Sequence, residues 1–569
     1  MRYLALVTDY DGTLATHDAM PESAADAVRR LRRSGRRAIL LTGRRLEPLQ
    51  AVCPYLDLFD FVVVENGALV YAPSTRETTR LGEPPPASFV ERLRELGVDR
   101  LEVGDVLVAT SLPYHRQVLQ AIQELGLELL VIFNRDAVMV LPSGVNKATG
   151  LRYALRKLGL SLHETVGVGD AENDHSFLRR CECAVAVANA IPSIRREATF
   201  VTQGEAGAGV TELIDELITT DLSRLHDMVP RRRIDVGIRA DGSRLAIAPF
   251  GINMLIAGPS ASGKSTVAAG LVERLAANAY QICIVDPEGD YGAMQEVITL
   301  GSHDHPASVN ELLAILEDPE INLNINLLGV DPANRPEYFS QLLPNLSMLR
   351  TRTGRPHWIV LDEAHHMLPE EWGHVASVLP QTLGETILVT VHPEHLPPAV
   401  LATVDLVLVV GPHPRQTMEG FARQTGHSLS WPDDLGFEPM RAVAWFPKAG
   451  EAPFSVGVIP PLRDRIRHRR KYAAGNMRYH SFYFRGPDGR LNLRAQNLMI
   501  FAQIAEGLDE ETWLYHLHRG DFSHWFRTAV KDPYLADQAQ RIEQHRELSA
   551  TESCRLIRNL IHSRYTLPE

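Results

Sequence analysis

Asp9 and Asp11 stand two residues apart, directly after an apolar run from Tyr3 to Thr8 and directly before Gly12. The run reads as a short buried strand, which puts both carboxylates at its C-terminal edge once the chain turns at the glycine. Open parallel sheets place their chemistry at that edge. One carboxylate there can attack phosphorus while the other moves protons. A bare Asp-x-Asp is as common in solvated turns, so the assignment needs partners. Ala38 to Leu41 form a second apolar run ending in Thr42-Gly43-Arg44, a hydroxyl followed by a flexible residue whose backbone N–H groups can face an anion. In Gly144-Val145-Asn146-Lys147-Ala148, Lys147 opens a predicted helix and can neutralise a phosphate at its positive end. Val166 to Gly169 read as another strand, followed by Asp170-Ala171-Glu172-Asn173-Asp174, the hard oxygen cluster that magnesium requires. Separate strand and helix ends thus offer a nucleophile, an anion-binding hydroxyl, a cation and metal ligands.

A second set of phosphate-handling residues follows the apolar strand predicted at Ile252 to Ala257. Gly258-Pro259-Ser260-Ala261-Ser262-Gly263-Lys264-Ser265-Thr266 is a complete GxxxxGK(S/T) loop between strand and helix, the context in which backbone N–H groups cradle phosphates. Its candidate nucleotide contacts are Gly258, Ser260, Ser262, Gly263, Lys264, Ser265 and Thr266, with Lys264 reaching the β and γ phosphates and Ser265 holding magnesium. The bland alternative is a glycine-rich turn. Trp358 to Leu361 form a further apolar strand, ending in Asp362-Glu363-Ala364-His365; Asp362 is expected to bind magnesium through water and Glu363 to polarise the attacking water. Two more strands, Ile282 to Val285 ending in Asp286-Pro287-Glu288-Gly289-Asp290-Tyr291, and Thr386 to Val391 ending at His392, complete the pattern of a RecA-like core.

The elements that must position the first set are those of an α/β sheet with an insertion. Its four segments, in this order over roughly residues 1 to 218, resemble the motifs of the haloacid dehalogenase superfamily. The resemblance implies a Rossmann-like core in which Asp9 forms an aspartyl-phosphate, Asp11 acts as general acid and then base, and Thr42, Gly43 and Lys147 hold the phosphoryl oxygens. It also implies magnesium held by Asp9, Asp170 and the Tyr10 carbonyl, with Asp11 near the ion and Asn173 and Asp174 supporting. Between the second and third motifs Val106 to Ala109, Glu128 to Phe133 and Ala137 to Val140 read as strands, with a helix over Ser111 to Leu125. That is an α+β cap, placed as in the class IIB phosphatases that act on sugar phosphates and phosphoglycolate. Glu65-Asn66-Gly67-Ala68 resembles the segment near the cap hinge, where Asn66 either touches substrate or only makes a turn.

The second set resembles the HerA/FtsK branch of the additional-strand ATPases over roughly residues 230 to 450. A predicted hairpin, Ile234 to Arg239 and Ser243 to Ala248 about Asp241-Gly242, precedes the P-loop there. Two departures stand out: the N-terminal barrel typical of HerA is missing, and His392 takes the place of a polar glutamine sensor. The resemblance implies ATP hydrolysis, in a homo-oligomeric ring whose neighbour supplies an arginine. A small-molecule kinase is the competing reading, against which stand the Asp-Glu-Ala-His strand and the lack of an arginine-rich lid.

The chain, at 569 residues, is too long for one core. The expected domains are a phosphatase core at 1–80 and 142–220, a cap at 81–141, a RecA-like P-loop ATPase at 230–455 and a mostly helical unit of unknown role at 462–569. In the last of these Arg463 to Lys471 is basic, read as a solvated helix before an anion contact. Phe482 to Leu493 read as a hairpin about Pro487-Asp488-Gly489, and the aromatic and histidine-rich Trp513 to Phe526 as core rather than a metal site. The composition, 45% hydrophobic and 22% charged, is that of a globular protein, and a net charge of −12 disfavours non-specific binding to nucleic acid by the whole molecule. Scattered cysteines, no bilayer-length apolar run and an N-terminus that enters a strand at once point to a cytoplasmic protein with no membrane partner. The functional expectation is a magnesium-dependent phosphatase on a small phosphorylated metabolite, fused to an ATP-binding module. The alternatives are an ATP-driven nucleic-acid-processing machine with an end-trimming phosphatase, and a bifunctional kinase and phosphatase.

Overall fold

The computed structural model describes residues 1–569 apart from 135, 225–232, 260, 261, 293, 303, 369–383, 434, 437, 439, 440, 463–476, 478, 479, 531, 546 and 566–569. The basic stretch at 463–471 therefore lies outside the described residues.

The strand Ala5–Asp9 is buried at every position, because it lies inside a parallel sheet covered on both faces. Its neighbours are Thr165–Gly169 on one side and Arg37–Leu41 on the other; Cys183–Ala186 and Phe200–Val201 extend the first side, and Phe61–Val64, Leu69–Ala72 and Glu77–Arg80 the second. The chain thus winds outward from Ala5–Asp9 in both directions, which makes its C-terminal end the switch point where doubly wound sheets leave a crevice. Register does the rest. Asp9 pairs with Leu41, one residue before Thr42, and Thr8 pairs with Val168, two before Asp170. Residues far apart in sequence therefore end within one rung of each other. Helices Glu22–Arg33 and Ala206–Thr220 pack together on one face, their apolar sides contributing Ala24, Val28, Leu31, Val210, Leu213 and Leu217 to the core.

The insertion is a four-stranded antiparallel sheet in the order Glu102–Val103, Val108–Ser111, Ala137–Pro142, Leu129–Asn134, backed by helices Ala87–Glu95 and His115–Leu125. Alternation splits the strand Ala137–Pro142 between two faces. Val138 and Val140 pack under the helices with Phe89, Leu93 and Val118, whereas Met139 and Leu141 pack with Leu107, Ala68 and Val145 toward the core domain. The strand read at Val106 to Ala109 begins at Val108, because the N–H groups of Val106 and Leu107 are taken by the Glu65 carboxylate instead of a neighbouring strand. The helix read from Ser111 starts at His115, after Ser111 has ended the strand and Pro113 has interrupted the backbone ladder.

In the second module an eleven-stranded sheet carries seven parallel strands. The P-loop strand Met254–Ala257 is separated from Trp358–Leu361 by Thr386–Thr390, so an additional strand stands between the two acid- and phosphate-bearing edges. The hairpin Ile234–Arg239 and Arg244–Ile247 joins the far edge of this sheet through Phe454–Val458. The C-terminal region is a two-stranded ribbon, Phe482–Phe484 with Leu493–Ala495, and helices from Leu498 to Tyr565 around an aromatic core of Phe482, Phe501, Trp513, Phe522 and Trp525. Among the described residues no helix is long and apolar enough to cross a membrane.

The two large sheets meet at the N-terminal ends of their strands. Glu164, which precedes Thr165–Gly169, accepts a 2.6 Å hydrogen bond from His357, which precedes Trp358–Leu361, and both side chains are buried. His163 stacks on Tyr280 with ring centres 3.8 Å apart and places Nε2 3.0 Å from the Asn278 carbonyl, while Arg355 donates to the Gly159 carbonyl. Breaking one member of a buried pair leaves the other without its partner and costs roughly 3–5 kcal/mol. Glu164→Ala is accordingly expected to lower the stability of the joined modules and to split their thermal unfolding into two calorimetric transitions, where the wild-type chain shows them coupled.

Candidate active sites

At the first switch point, helix Lys147–Leu158 begins with a reciprocal capping box: the Asn146 side chain accepts from the Ala148 and Thr149 N–H groups, and Thr149 accepts from the Asn146 N–H. This cap sets Lys147 at the first helical position with its ammonium buried. Lys147 Nζ donates to Asp9 Oδ1 at 2.5 Å and to Asp174 Oδ1 at 2.6 Å. The other Asp174 oxygen accepts from the Asp170 and Ala171 N–H groups, both at 2.9 Å, and Thr13 Oγ1 donates to Asp170 Oδ1 at 2.7 Å. Carboxylate oxygens of Asp9, Asp170 and Asp174 lie within 4.8 Å of one another, all three residues buried. Burial, then the Asp174 charge, pushes the Asp9 acid well above the usual carboxylate range, against the pull of Lys147. Burial lowers the affinity of Lys147 for its proton, but the Asp174 and Asp9 charges more than reverse that, so it remains an ammonium. Lys147 bonds two of these three buried carboxylates, and so close a gathering of hard oxygen donors fits a divalent ion such as magnesium.

Two of the expected metal donors are engaged otherwise. The Asp11 carboxylate pairs with Arg44, through Nε at 3.0 and 2.8 Å and Nη2 at 2.6 Å, and does not join the cluster. A bidentate guanidinium outcompetes a place among like charges. The Tyr10 carbonyl accepts the N–H groups of Leu14 at 3.0 Å and Ala15 at 2.8 Å, so the turn after the strand uses both its lone pairs. Thr42 is buried beside Asp9, its Oγ1 accepting from the Arg44 N–H at 3.1 Å, and Gly43 lies beneath Met139 of the insertion. Asn173 donates to Asn66 Oδ1 at 3.1 Å; the remaining amide atoms, Asn173 Oδ1 and Asn66 Nδ2, are buried without a hydrogen-bond partner among the described residues. Asp9, Asp11, Gly43, Arg44 and Asn173 all line one cavity of about 850 Å³ between core and insertion, with Arg45, Arg100, Ser111 and Met139 on the same walls.

At the second site Gly258 has φ +149°, and a Cβ there would lie 1.9 Å from the Val410 carbonyl, so only glycine fits where the loop leaves its strand. Gly263, at φ +103°, ends the loop and caps helix Lys264–Ala277. Lys264 is buried and donates to the Pro259 carbonyl at 3.1 Å. Ser262 Oγ is buried without a partner among the described residues, Ser265 is half-buried and Thr266 exposed; Ser260 lies outside the described residues. Asp362 is buried at the end of Trp358–Leu361. Burial raises the Glu363 acid, Lys264 opposes this, and Glu288 and Asp290 reinforce it, so all four charges act on one edge of the sheet. Asp286 instead shapes the acidic turn, its oxygens accepting from the Asp290 and Tyr291 N–H groups.

A profile of haloacid dehalogenase-like hydrolases matches residues 6–81 and 94–214. The phosphoglycolate phosphatase of Haloarcula marismortui is 33% identical over 218 residues, which span 95% of that protein and 37% of this chain. The chain belongs to the haloacid dehalogenase-like hydrolases. The Methanothermobacter thermautotrophicus phosphoglycolate phosphatase is 28% identical over 220 residues, 96% of its length and 37% of this chain. A solved haloacid dehalogenase subclass IIB sugar phosphatase covers 37% of this chain and 98% of its own at 19% identity, with a TM-score of 0.33. Residues 252–342 match the central domain of helicase HerA.

In this haloacid dehalogenase-like hydrolase two site residues escape sequence reasoning. Arg44 is visible in the sequence only as the residue after Thr42-Gly43, and nothing local foretells its pairing with Asp11. Glu65 is the second. Its buried carboxylate accepts the N–H groups of Asp105, Val106 and Leu107, each at 2.8 Å, and so fastens the insertion to the core. Gly104 sits so close that a Cβ would fall 2.5 Å from Glu65 Oε1. To reach this place Glu65, Asn66 and Gly67 all take left-handed backbone angles of +50°, +53° and +106°, and a Cβ on Gly67 would strike the Asn146 carbonyl at 1.9 Å. The tripeptide Glu-Asn-Gly is the local signal. Glu65→Ala removes the acceptor of three buried N–H groups, at about 1–3 kcal/mol for each donor left unsatisfied. Amide hydrogen exchange over residues 104–107 is expected to accelerate by at least ~10-fold in that variant, with exchange in Ala5–Asp9 unchanged.

Proposed function

We propose that the N-terminal unit is a magnesium-dependent phosphatase for a small phosphorylated metabolite, working through an aspartyl-phosphate on Asp9, and that the P-loop unit binds and hydrolyses ATP. The observation that carries the first reading is the buried Lys147 ammonium seated between Asp174 and Asp9, the carboxylate of the three that lines the cavity. Asp9 attacks phosphorus and the ester P–O bond breaks, the leaving oxygen taking a proton from Asp11. Water then attacks the phosphorus of the aspartyl-phosphate, giving its proton to Asp11 as the bond to Asp9 breaks and phosphate leaves. Lys147, Thr42 and the backbone of Gly43 hold the phosphoryl oxygens. Magnesium, when held by Asp9 and Asp170 with Asp174 and Asn173 behind them, offsets the repulsion between anionic nucleophile and anionic substrate. Arg44 keeps Asp11 at the cavity wall, and must share it during proton transfer. The relatives' phosphoglycolate, and the arginines on the cavity wall, favour a small acidic substrate.

For the P-loop unit, Lys264 and Ser265 serve the phosphates and magnesium, Asp362 the ion through water, and Glu363 the attacking water. The likeness of residues 252–342 to HerA favours a second reading, an ATP-driven machine on nucleic acid in which the phosphatase trims ends. Sedimentation with ATP separates the two: a ring of six supports the machine, a monomer or dimer the metabolite enzyme.

Phosphate release is to be measured over phosphoglycolate, sugar phosphates, nucleotides and phosphorylated DNA ends. Asp9→Asn is expected to lose at least ~10³-fold of that activity while keeping ATP hydrolysis, since it removes the nucleophile. Lys264→Ala is expected to do the reverse. Loss of both activities in either variant would refute separate sites.

A further inference from the structure

Neither phosphate chemistry uses a group of histidines in the P-loop unit. His365 and His366 follow Asp362-Glu363, and His392 and His395 follow the strand Thr386–Thr390 that lies between the P-loop strand and Trp358–Leu361. Their rings form one cluster, with centres 4.3 Å apart for His365 and His366, 5.6 Å for His365 and His392, and 4.8 Å for His392 and His395.

The local backbone makes this pairing. Pro393–His395 is a single 3₁₀ turn capped by His392, and side chains three residues apart on such a turn eclipse one another. Glu394 adds a carboxylate, its Oε1 3.0 Å from His392 Nδ1. One ligand atom from each of His392, Glu394 and His395 lies within 4.8 Å of the others. Small side-chain rotations bring such atoms to the ~2.0–2.2 Å bonds of a common ion. All three residues are exposed, so an ion enters without unfolding the module. Thr390 ties the two histidine-bearing segments together, accepting the His392 N–H at 3.0 Å and lying 2.9 Å from His365 Nδ1.

We propose that His392, Glu394 and His395 form a transition-metal site on the catalytic edge of the P-loop unit, with His365 as its neighbouring imidazole. Two imidazoles and one carboxylate suit a borderline divalent ion such as zinc, whereas magnesium prefers an all-oxygen shell. The site differs in ligand chemistry from the Asp9, Asp170 and Asp174 cluster, and it lies in the loop after the additional strand, beside His365 of the segment that carries Glu363.

The test is calorimetric titration of zinc into the full chain, with magnesium in large excess to fill the oxygen sites. Losing an outer partner of a metal-bound imidazole costs ~10–100-fold in affinity, and losing a ligand itself costs at least as much. A zinc site is therefore expected that His395→Ala weakens at least about tenfold and that the pair His392→Ala and His395→Ala removes, while Asp9→Asn leaves it intact. Cobalt(II) bound in place of zinc should give visible absorption bands that vanish in the double variant. Equal zinc affinity in wild type and double variant, or a cobalt spectrum indifferent to the substitutions, overturns the proposal. Because metal binding is read directly, failure of the ATP-hydrolysis reading leaves this test standing.

Discussion

One buried ammonium holds the first active site together. Lys147 bonds Asp9 and Asp174 at once, and without it two carboxylates and the nearby Asp170 would face one another in a space that water barely reaches. Everything around it serves to keep it there. The Asn146 cap fixes where its helix begins, and Gly67 lets the neighbouring backbone come within a distance that no side chain would allow. The parallel register of three strands then brings Thr42 and Asp170 to within one residue of the level of Asp9. The hard oxygen donors gathered beside Lys147 are what suit the site to a divalent ion.

The same region controls the insertion. Glu65 adopts a left-handed backbone and buries a charge, and in that position it gathers three N–H groups from Asp105, Val106 and Leu107. Those groups would otherwise be unpaired at the start of a cap strand, so the contact is as much a requirement of the cap as of the core. Because Asn66 follows Glu65 and meets Asn173, the hinge of the cap and the acidic loop after Thr165–Gly169 share one hydrogen-bond chain. The placement of the insertion and the geometry of the acidic cluster are thereby tied.

The two large modules are joined away from their chemistry. Glu164 and His357 stand at the N-terminal ends of strands whose C-terminal ends carry Asp170 and Asp362, so the contact between sheets lies at the back of both sites. Each strand is fully buried, with the Glu164–His357 pair before one end and an aspartate just past the other. The contact between the modules thus stands at the strand ends opposite to those that carry the acidic residues.

That charged groups gather at the strand ends was legible in the sequence, because short apolar runs mark those ends and Asp9, Lys147, Asp170 and Asp174, which meet in the fold, stand at or just past such ends or at a helix start. The strand–loop–helix of the P-loop and the strand before Asp9 were legible in the same way. What neighbours do to one another was not legible. That Asp11 pairs with an arginine instead of joining the carboxylate cluster depends on Arg44, whose reach is decided by the fold of a loop and not by its position in sequence. The Tyr10 carbonyl lost its expected role to a local turn, and Glu65 gained one through amides about forty residues away. Local sequence sets which groups can bear charge; only the packed chain decides which opposite charge or unpaired N–H group is nearest, because those energies fall with distance and rise with burial.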